Sequence, residues 1–219
     1  MKIPSTLGTF FAVAQMPRFA SNIKRFRPQN RSRRQLPLPP ASNVRVAQVS
    51  ALVTSFDSGE SFCRNRWNEL ETFRPRVLVG SAADLRGLAE LAQRHILDLT
   101  SVDHAIFVLT VCGEPPVNDV LRVVLWQAFG VPVYEHFVAQ GRLVASECQA
   151  FEGWHIEPCS AFSVIDGELI LHTPEATSVP TGLTGRIDTE PCVCGLASLR
   201  VRDIEALTPI DHRALAATA

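Results

Sequence analysis

The chain has 219 residues, 46% hydrophobic and 20% charged, with a formal net charge of −1, the balance of a folded globular protein and not of a disordered one. That total hides an asymmetry: residues 1–56 carry nine Lys and Arg and no carboxylate, whereas the remainder carries 12 Arg against 22 Asp and Glu. No apolar run approaches the ~18 residues of a membrane span, and no lysine follows Lys24, which excludes lysine-dependent phosphate binding or catalysis from the body of the chain.

The basic leader is rich in Arg and free of acid, a composition shared by organelle transit segments, nucleic-acid arms and ordinary surface helices. Aromatic interleaving is thin there (Phe19, Phe26), so nucleic acid is not an expected partner. The expectation for residues 1–43 is a surface segment followed by the extended linker Leu36-Pro37-Leu38-Pro39-Pro40, with a cytoplasmic location and no membrane association.

Beyond the linker, strand-like and helix-like patterns alternate. Val44 to Val49 reads as a strand, Glu60 to Phe73 as a helix stopped by Pro75, and Arg76 to Gly80 as a second strand. Ser81 to Asp84 resembles a capping box, and Leu85, Leu88, Ala89 and Ala92 follow at helical spacing. Ala105 to Leu109 is apolar without alternation, as in a strand covered on both faces. Val117 to Phe129 is helical, with Gly130 as its C-terminal cap, and Val131 to Tyr134 opens another strand. Phe162 to Ile165 and Glu168 to Leu171 flank Asp166-Gly167, a two-residue hairpin signal. The predicted fold is α/β: a mostly parallel sheet flanked by helices over residues 44–137, then a small antiparallel β region within 138–219.

Six cysteines remain to be placed. Cys148 and His155 lie close in sequence, and Cys192-Val193-Cys194-Gly195 follows the hairpin. Cysteines at i and i+2 project to one side of an extended segment, and the glycine permits a turn that aims both sulfurs at one point. Three thiolates and an imidazole make a closed tetrahedral zinc site. Cys159 is a substitute ligand, and a set of buried, reduced thiols beside a hydrogen-bonded histidine is the competing reading. Cys112 beside Gly113 reads as an inert buried thiol, and no nucleophile–histidine pair is supported.

Five motifs, in order, resemble the phenylacetate–coenzyme A ligase branch of the AMP-binding, acyl-adenylate-forming superfamily. They are Phe73 to Gly80 with Asp84 to Ala89, Cys112-Gly113-Glu114-Pro115, Phe129 to Phe137, Glu147-Cys148 to His155, and Pro191 to Gly195. The resemblance implies a structural zinc held by Cys148, His155, Cys192 and Cys194. It also implies a residual nucleotide site at Gly113, Glu114, Pro115, Tyr134 and Phe137, with the aromatic Phe137 at the adenine-stacking position.

Departures from that family bear directly on activity. Its Gly/Ser/Thr-rich phosphate loop has no counterpart in residues 1–60. Its Ser/Thr-Glu, which helps hold Mg²⁺, is replaced after Phe137 by Val138-Ala139-Gln140-Gly141, and its ribose-binding aspartate by Arg186. About 25 residues follow Cys194, too few for the family's mobile domain with its catalytic lysine. Phosphate positioning, metal and charge stabilisation are each worth orders of magnitude in adenylation. The expectation is therefore a catalytically degenerate relative with no catalytic residues, acting as a binding or structural subunit, with zinc as cofactor and ATP or AMP as a residual ligand. Its expected partners are a second copy or another protein chain, and a nucleotide or acyl ligand. The alternative is an AMP-forming acyl- or aryl-CoA ligase or acyltransferase component completed by a partner chain.

Overall fold

The structure, a computed structural model, describes residues 44–50, 59–173 and 177–207; the readings on residues 1–43 lie outside the described residues. Among the described residues, eleven strands form one sheet: β1 (Val46–Gln48), β2 (Gly59–Ser61), β3 (Val77–Ser81), β4 (Ala105–Val111), β5 (Val133–Ala139), β6 (Arg142–Glu147), β7 (Trp154–Ile156), β8 (Ala161–Ile165), β9 (Glu168–His172), β10 (Ser178–Asp188) and β11 (Arg200–Ala206). Their order is β2-β1-β3-β4-β5-β6-β7-β11-β10-β9-β8. Helices α1 (Glu69–Phe73), α2 (Ala82–Gln93) and α3 (Asp119–Phe129) accompany its first half.

The expected α/β class holds, but the sheet is mixed. The pairings from β2 through β1, β3 and β4 to β5 are parallel, and every pairing from β5 onward to β8 is antiparallel. Most strand pairings are therefore antiparallel, and the antiparallel part continues the same sheet. Connection length explains the change. A parallel return needs a crossover such as α2 or α3, whereas Gln140-Gly141 joins β5 to β6 as a two-residue turn, from which the chain can only run back antiparallel. Both turn residues have positive φ, 52° and 74°, as the tight hairpin geometry requires. The expected Asp166-Gly167 turn joins β8 to β9 in the same way, with φ of 50° and 82°.

The helix predicted over Glu60–Phe73 is instead β2, a single 3-10 turn at Arg64–Arg66 and the short α1. Phe62 accounts for the break. It is 1% exposed, its N–H donates to Gln48 O at 2.8 Å, and its ring meets Phe73 at 5.0 Å, so burial at the sheet overrides helical periodicity. The α2 cap is as the sequence suggests: Ser81 Oγ accepts from Asp84 N at 3.2 Å and donates to the Asp84 carboxylate at 2.7 Å.

Leu85 and Leu88 of α2 and Leu121 and Leu125 of α3 pack on one face of the parallel strands, against Leu78, Ile106, Val108 and Val133. Val77, Val79, Phe107 and Leu109 form a second cluster from residues of opposite phase in the same strands, which is why β4 shows no polar alternation. A third cluster, with Phe137, Trp154, Phe162, Leu169 and Val201, fills the antiparallel half. Arg122 of α3 ties the halves together, donating to Val133 O at 2.8 Å and to both Glu147 carboxylate oxygens at 2.9 and 3.0 Å. Glu135 is buried alongside, accepting from Thr110 Oγ1 at 2.6 Å and Val117 N at 3.0 Å; burial raises the pKa of both carboxyls.

His136 of β5 is wholly buried, its ring 4.5 Å from Phe107, and burial pushes its pKa down to about 3. An unfolded imidazole titrates near ~6.5, so above that pH the residue is neutral in both states and has no effect. Below it only the unfolded chain takes up the proton, and stability falls by about 1.4 kcal/mol per pH unit as pH drops towards about 3. His136→Phe is expected to flatten this limb of the acid profile. Urea unfolding of both proteins at pH 7 and pH 5 measures it, and equal losses in the two would sink the assignment.

Candidate metal centre

Four side chains from three segments converge at one end of the antiparallel half. Cys148 follows β6, His155 lies within β7, and Cys192 and Cys194 sit in the connection from β10 to β11. Because β6, β7, β11 and β10 are consecutive neighbours in the sheet, strand pairing alone brings the segments together. The four ligand atoms all lie within 4.8 Å of one another. Cys148 Sγ is 3.2 Å from Cys192 Sγ, and His155 Nε2 is 3.2 Å from Cys194 Sγ.

Local backbone geometry aims these atoms. Gly153 has φ of 107°, and a Cβ there would lie 2.2 Å from Val201 O, so only glycine lets the Cys148–His155 loop press against β11. The loop closes through Phe151 N–H to Cys148 O and Cys148 N–H to Gly153 O, both 2.8 Å. Gly195, with φ of 84°, sends its N–H to Cys192 O at 2.9 Å, making the turn that points both sulfurs inward.

The donor set fits a divalent cation. Backbone N–H groups of Ala150 and Glu152 face Cys148, that of Cys194 faces Cys192, and that of Leu196 faces Cys194. Such N–H dipoles stabilise thiolate more than thiol. His155 Nδ1 meets Ser198 Oγ at 2.8 Å, which lets the hydroxyl hold that nitrogen's proton and leaves Nε2, facing the sulfurs, as a donor atom. The protein atoms alone do not make ionisation easy. Burial pushes the Cys148 thiol up to about 12 and raises that of Cys194, while at Cys192 burial is outweighed by the Cys194 N–H and the two neighbouring thiols. A bound divalent cation would offset that cost. Tetrahedral zinc, with bonds of about 2.3 Å to sulfur and 2.0 Å to nitrogen, sets its ligand atoms about 3.5–3.8 Å apart, inside the spread of separations seen here. Cys159, the substitute ligand, is exposed and outside the cluster; Cys63 is also exposed, and Cys112 is half-buried with its thiol pushed up by burial.

The residues assigned to a residual nucleotide site fall into two groups. Gly113, Glu114 and Pro115 form an exposed turn after β4. Gly113 N–H donates to Thr181 O at 2.8 Å, and the Glu114 carboxylate accepts from Val111 N at 3.3 Å, so this glutamate braces its own turn. Tyr134 and Phe137 lie on β5, beside β4. Tyr134 is half-buried between Phe107 and Phe151, with ring centroids at 5.8 and 5.5 Å. Phe137 is 0% exposed, stacked on Trp154 at 5.0 Å, which places its ring inside the core. His172, for which the sequence offers no partner, bridges Ser163 Oγ at 2.8 Å and Ser178 Oγ at 3.0 Å.

Sequence reasoning missed the polar shell around the cluster: Ser198, Arg200, Asp188 and Glu152. The alternation Arg200-Val201-Arg202 marks a strand, but nothing in it says that Arg200 points inward, 2% exposed, onto Asp188 and Glu152.

No protein-family model and no curated protein sequence matches this chain. Solved structures share its fold. 2-Hydroxyisobutyryl-CoA ligase in an open conformation, in complex with 2-HIB-AMP and CoA, superposes with a TM-score of 0.58 at 16% identity over 74% of this chain and 45% of that one. The same enzyme in the thioesterification state gives 0.58 at 16% identity, over 75% and 43%. Coronafacic acid ligase from Pectobacterium brasiliense gives 0.50 at 12% identity, over 72% and 38%. The chain shares its fold with part of these ligases and spans less than half their length. Among the described residues, no helix is long and apolar enough to cross a membrane.

Proposed function

We propose that this chain is a non-adenylating relative of the AMP-forming acid–thiol ligases, of the phenylacetate–CoA ligase type. On this reading it holds one structural zinc ion and acts as a binding or structural subunit. Cys148, His155, Cys192 and Cys194 hold the ion. Four protein donors leave no position for water or substrate, so the metal supplies a cross-link between strands and no chemistry.

The observation that carries the loss of adenylation is the course of β5 after Phe137. Where the family resemblance calls for a hydroxyl and a glutamate that help hold Mg²⁺, Val138 is 1% exposed and Ala139 7% exposed, and the chain then turns back at Gln140-Gly141. No carboxylate stands there. Arg186, in place of the ribose-gripping aspartate, is a cation paired with Asp203. A nucleotide, on this reading, touches the exposed Gly113-Glu114-Pro115 turn without being activated.

The isolated chain is expected to show no ATP–pyrophosphate exchange above a blank with aryl or acyl acids, while metal analysis finds about one zinc per chain. Calorimetry with AMP, ATP and coenzyme A, alongside, reports whether the exposed turn still binds nucleotide. Exchange clearly above the blank would overturn the reading.

A further inference from the structure

We propose that Arg200 is the positioning residue of the Cys148–His155–Cys192–Cys194 centre, its guanidinium fastening both ligand-bearing segments and placing a positive charge beside the metal-bound thiolates. The inference rests on the zinc reading above and extends it to a residue outside the ligand set.

Arg200 is 2% exposed and stands opposite His155 in the β7–β11 pairing. Its Nη1 donates to Glu152 Oε2 at 2.9 Å, in the loop between Cys148 and His155. Its Nη2 donates to Asp188 Oδ2 at 2.8 Å and to Glu190 O at 3.4 Å, on the approach to Cys192. One planar fork thus holds both halves of the ligand set in register, which a lysine point charge cannot do. Arg202 Nη1 shares Asp188 Oδ2 at 3.2 Å, so the bridging carboxylate is itself fixed.

Charge supplies the second half of the argument. Three thiolates and a neutral imidazole around a divalent cation leave one excess negative charge in a buried pocket, which is costly unless compensated. The Cys192 side chain lies within reach of this guanidinium, whose buried Nε makes no other hydrogen bond. The Glu152 side chain is 34% exposed, so solvent screens it, and the buried Asp188 is shared with Arg202, which leaves part of the Arg200 charge for the thiolates.

The test is titration of the full chain with Zn²⁺ against a chromophoric chelator and with Co²⁺, for the native protein, Arg200→Met and Arg200→Lys. Loss of a group that orients ligands typically costs 10–100-fold in metal affinity, and Arg200→Met is expected in that range, with a displaced thiolate-to-cobalt charge-transfer band. Arg200→Lys keeps the charge without the fork and should fall between. If Arg200 serves only strand packing, both variants lower the unfolding temperature of metal-free and metal-loaded protein equally, with affinity and the cobalt band unchanged; that result overturns the proposal. Should Arg200→Met not fold, Arg200→Lys decides: a loss of at least about 3-fold supports the proposal and native affinity overturns it. A native chain that binds neither ion overturns the zinc reading, and this inference with it.

Discussion

Cys192→Ser is expected to take the zinc content of the purified chain from about one ion to near zero, the largest single effect in this protein. Cys192 is 5% exposed and 3.2 Å from Cys148, so its replacement removes a soft ligand from the middle of the set. A serine hydroxyl is a poor substitute for thiolate at zinc. Structural zinc contributes folding free energy outright, on the order of 10 kcal/mol in small zinc modules, although the shared sheet retains part of the order here. The consequence should be regional. Amides of β6, β7, β10 and β11 lose protection against hydrogen exchange, while β3 and β4, with their own core beneath α2 and α3, keep theirs. Metal analysis with exchange mass spectrometry checks both parts. An unchanged zinc content would refute the ligand assignment, and uniform loss of protection would refute the regional division.

Phe137→Ala is expected to cost about 3–5 kcal/mol, the range for truncating a buried aromatic. Its ring is closed off on one side by Trp154, and its centroid lies 6.3 Å from that of Phe162, so truncation leaves a cavity in the third cluster. Trp154 neighbours His155, so a loosened Cys/His cluster is the expected secondary effect. The change should appear as a lowered urea midpoint with an unchanged slope. A midpoint within experimental error of the native one would show that the ring is not part of the core.

What could be read in the sequence was local. Ser81 caps α2 and Asp166-Gly167 makes its hairpin because both signals act over a few residues. Cys192 and Cys194, two apart before a glycine, stood out for the same reason, whereas joining them with Cys148 and His155 came from the family resemblance; the structure brings the four side chains together. Sheet sense was not legible in the same way, because it depends on where each strand finds its neighbour. The two-residue Gln140-Gly141 turn was the available clue, since it forces β6 back along β5. The break at Phe62 was hidden because a buried phenylalanine suits a helix or a sheet edge equally well. Arg200 was hidden for a related reason: its carboxylate partners, Glu152 and Asp188, come from distant segments that meet only after the strands have paired.

The position of β11 has a consequence for biosynthesis. It lies between β7 and β10, pairing Val201 with Trp154 on one side and Ile187 with Val201 on the other, although it is the last of the described strands to be translated. Until it emerges from the ribosome, β8, β9 and β10 can form as a meander on their own, but they have no bond to β7. During that interval two strand edges are open, with Trp154 and Ile187 not yet paired with Val201. Such edges are where nascent chains join one another. A chain released before residue 200 would hold two unjoined half-sheets, each a template for its counterpart on a neighbouring chain.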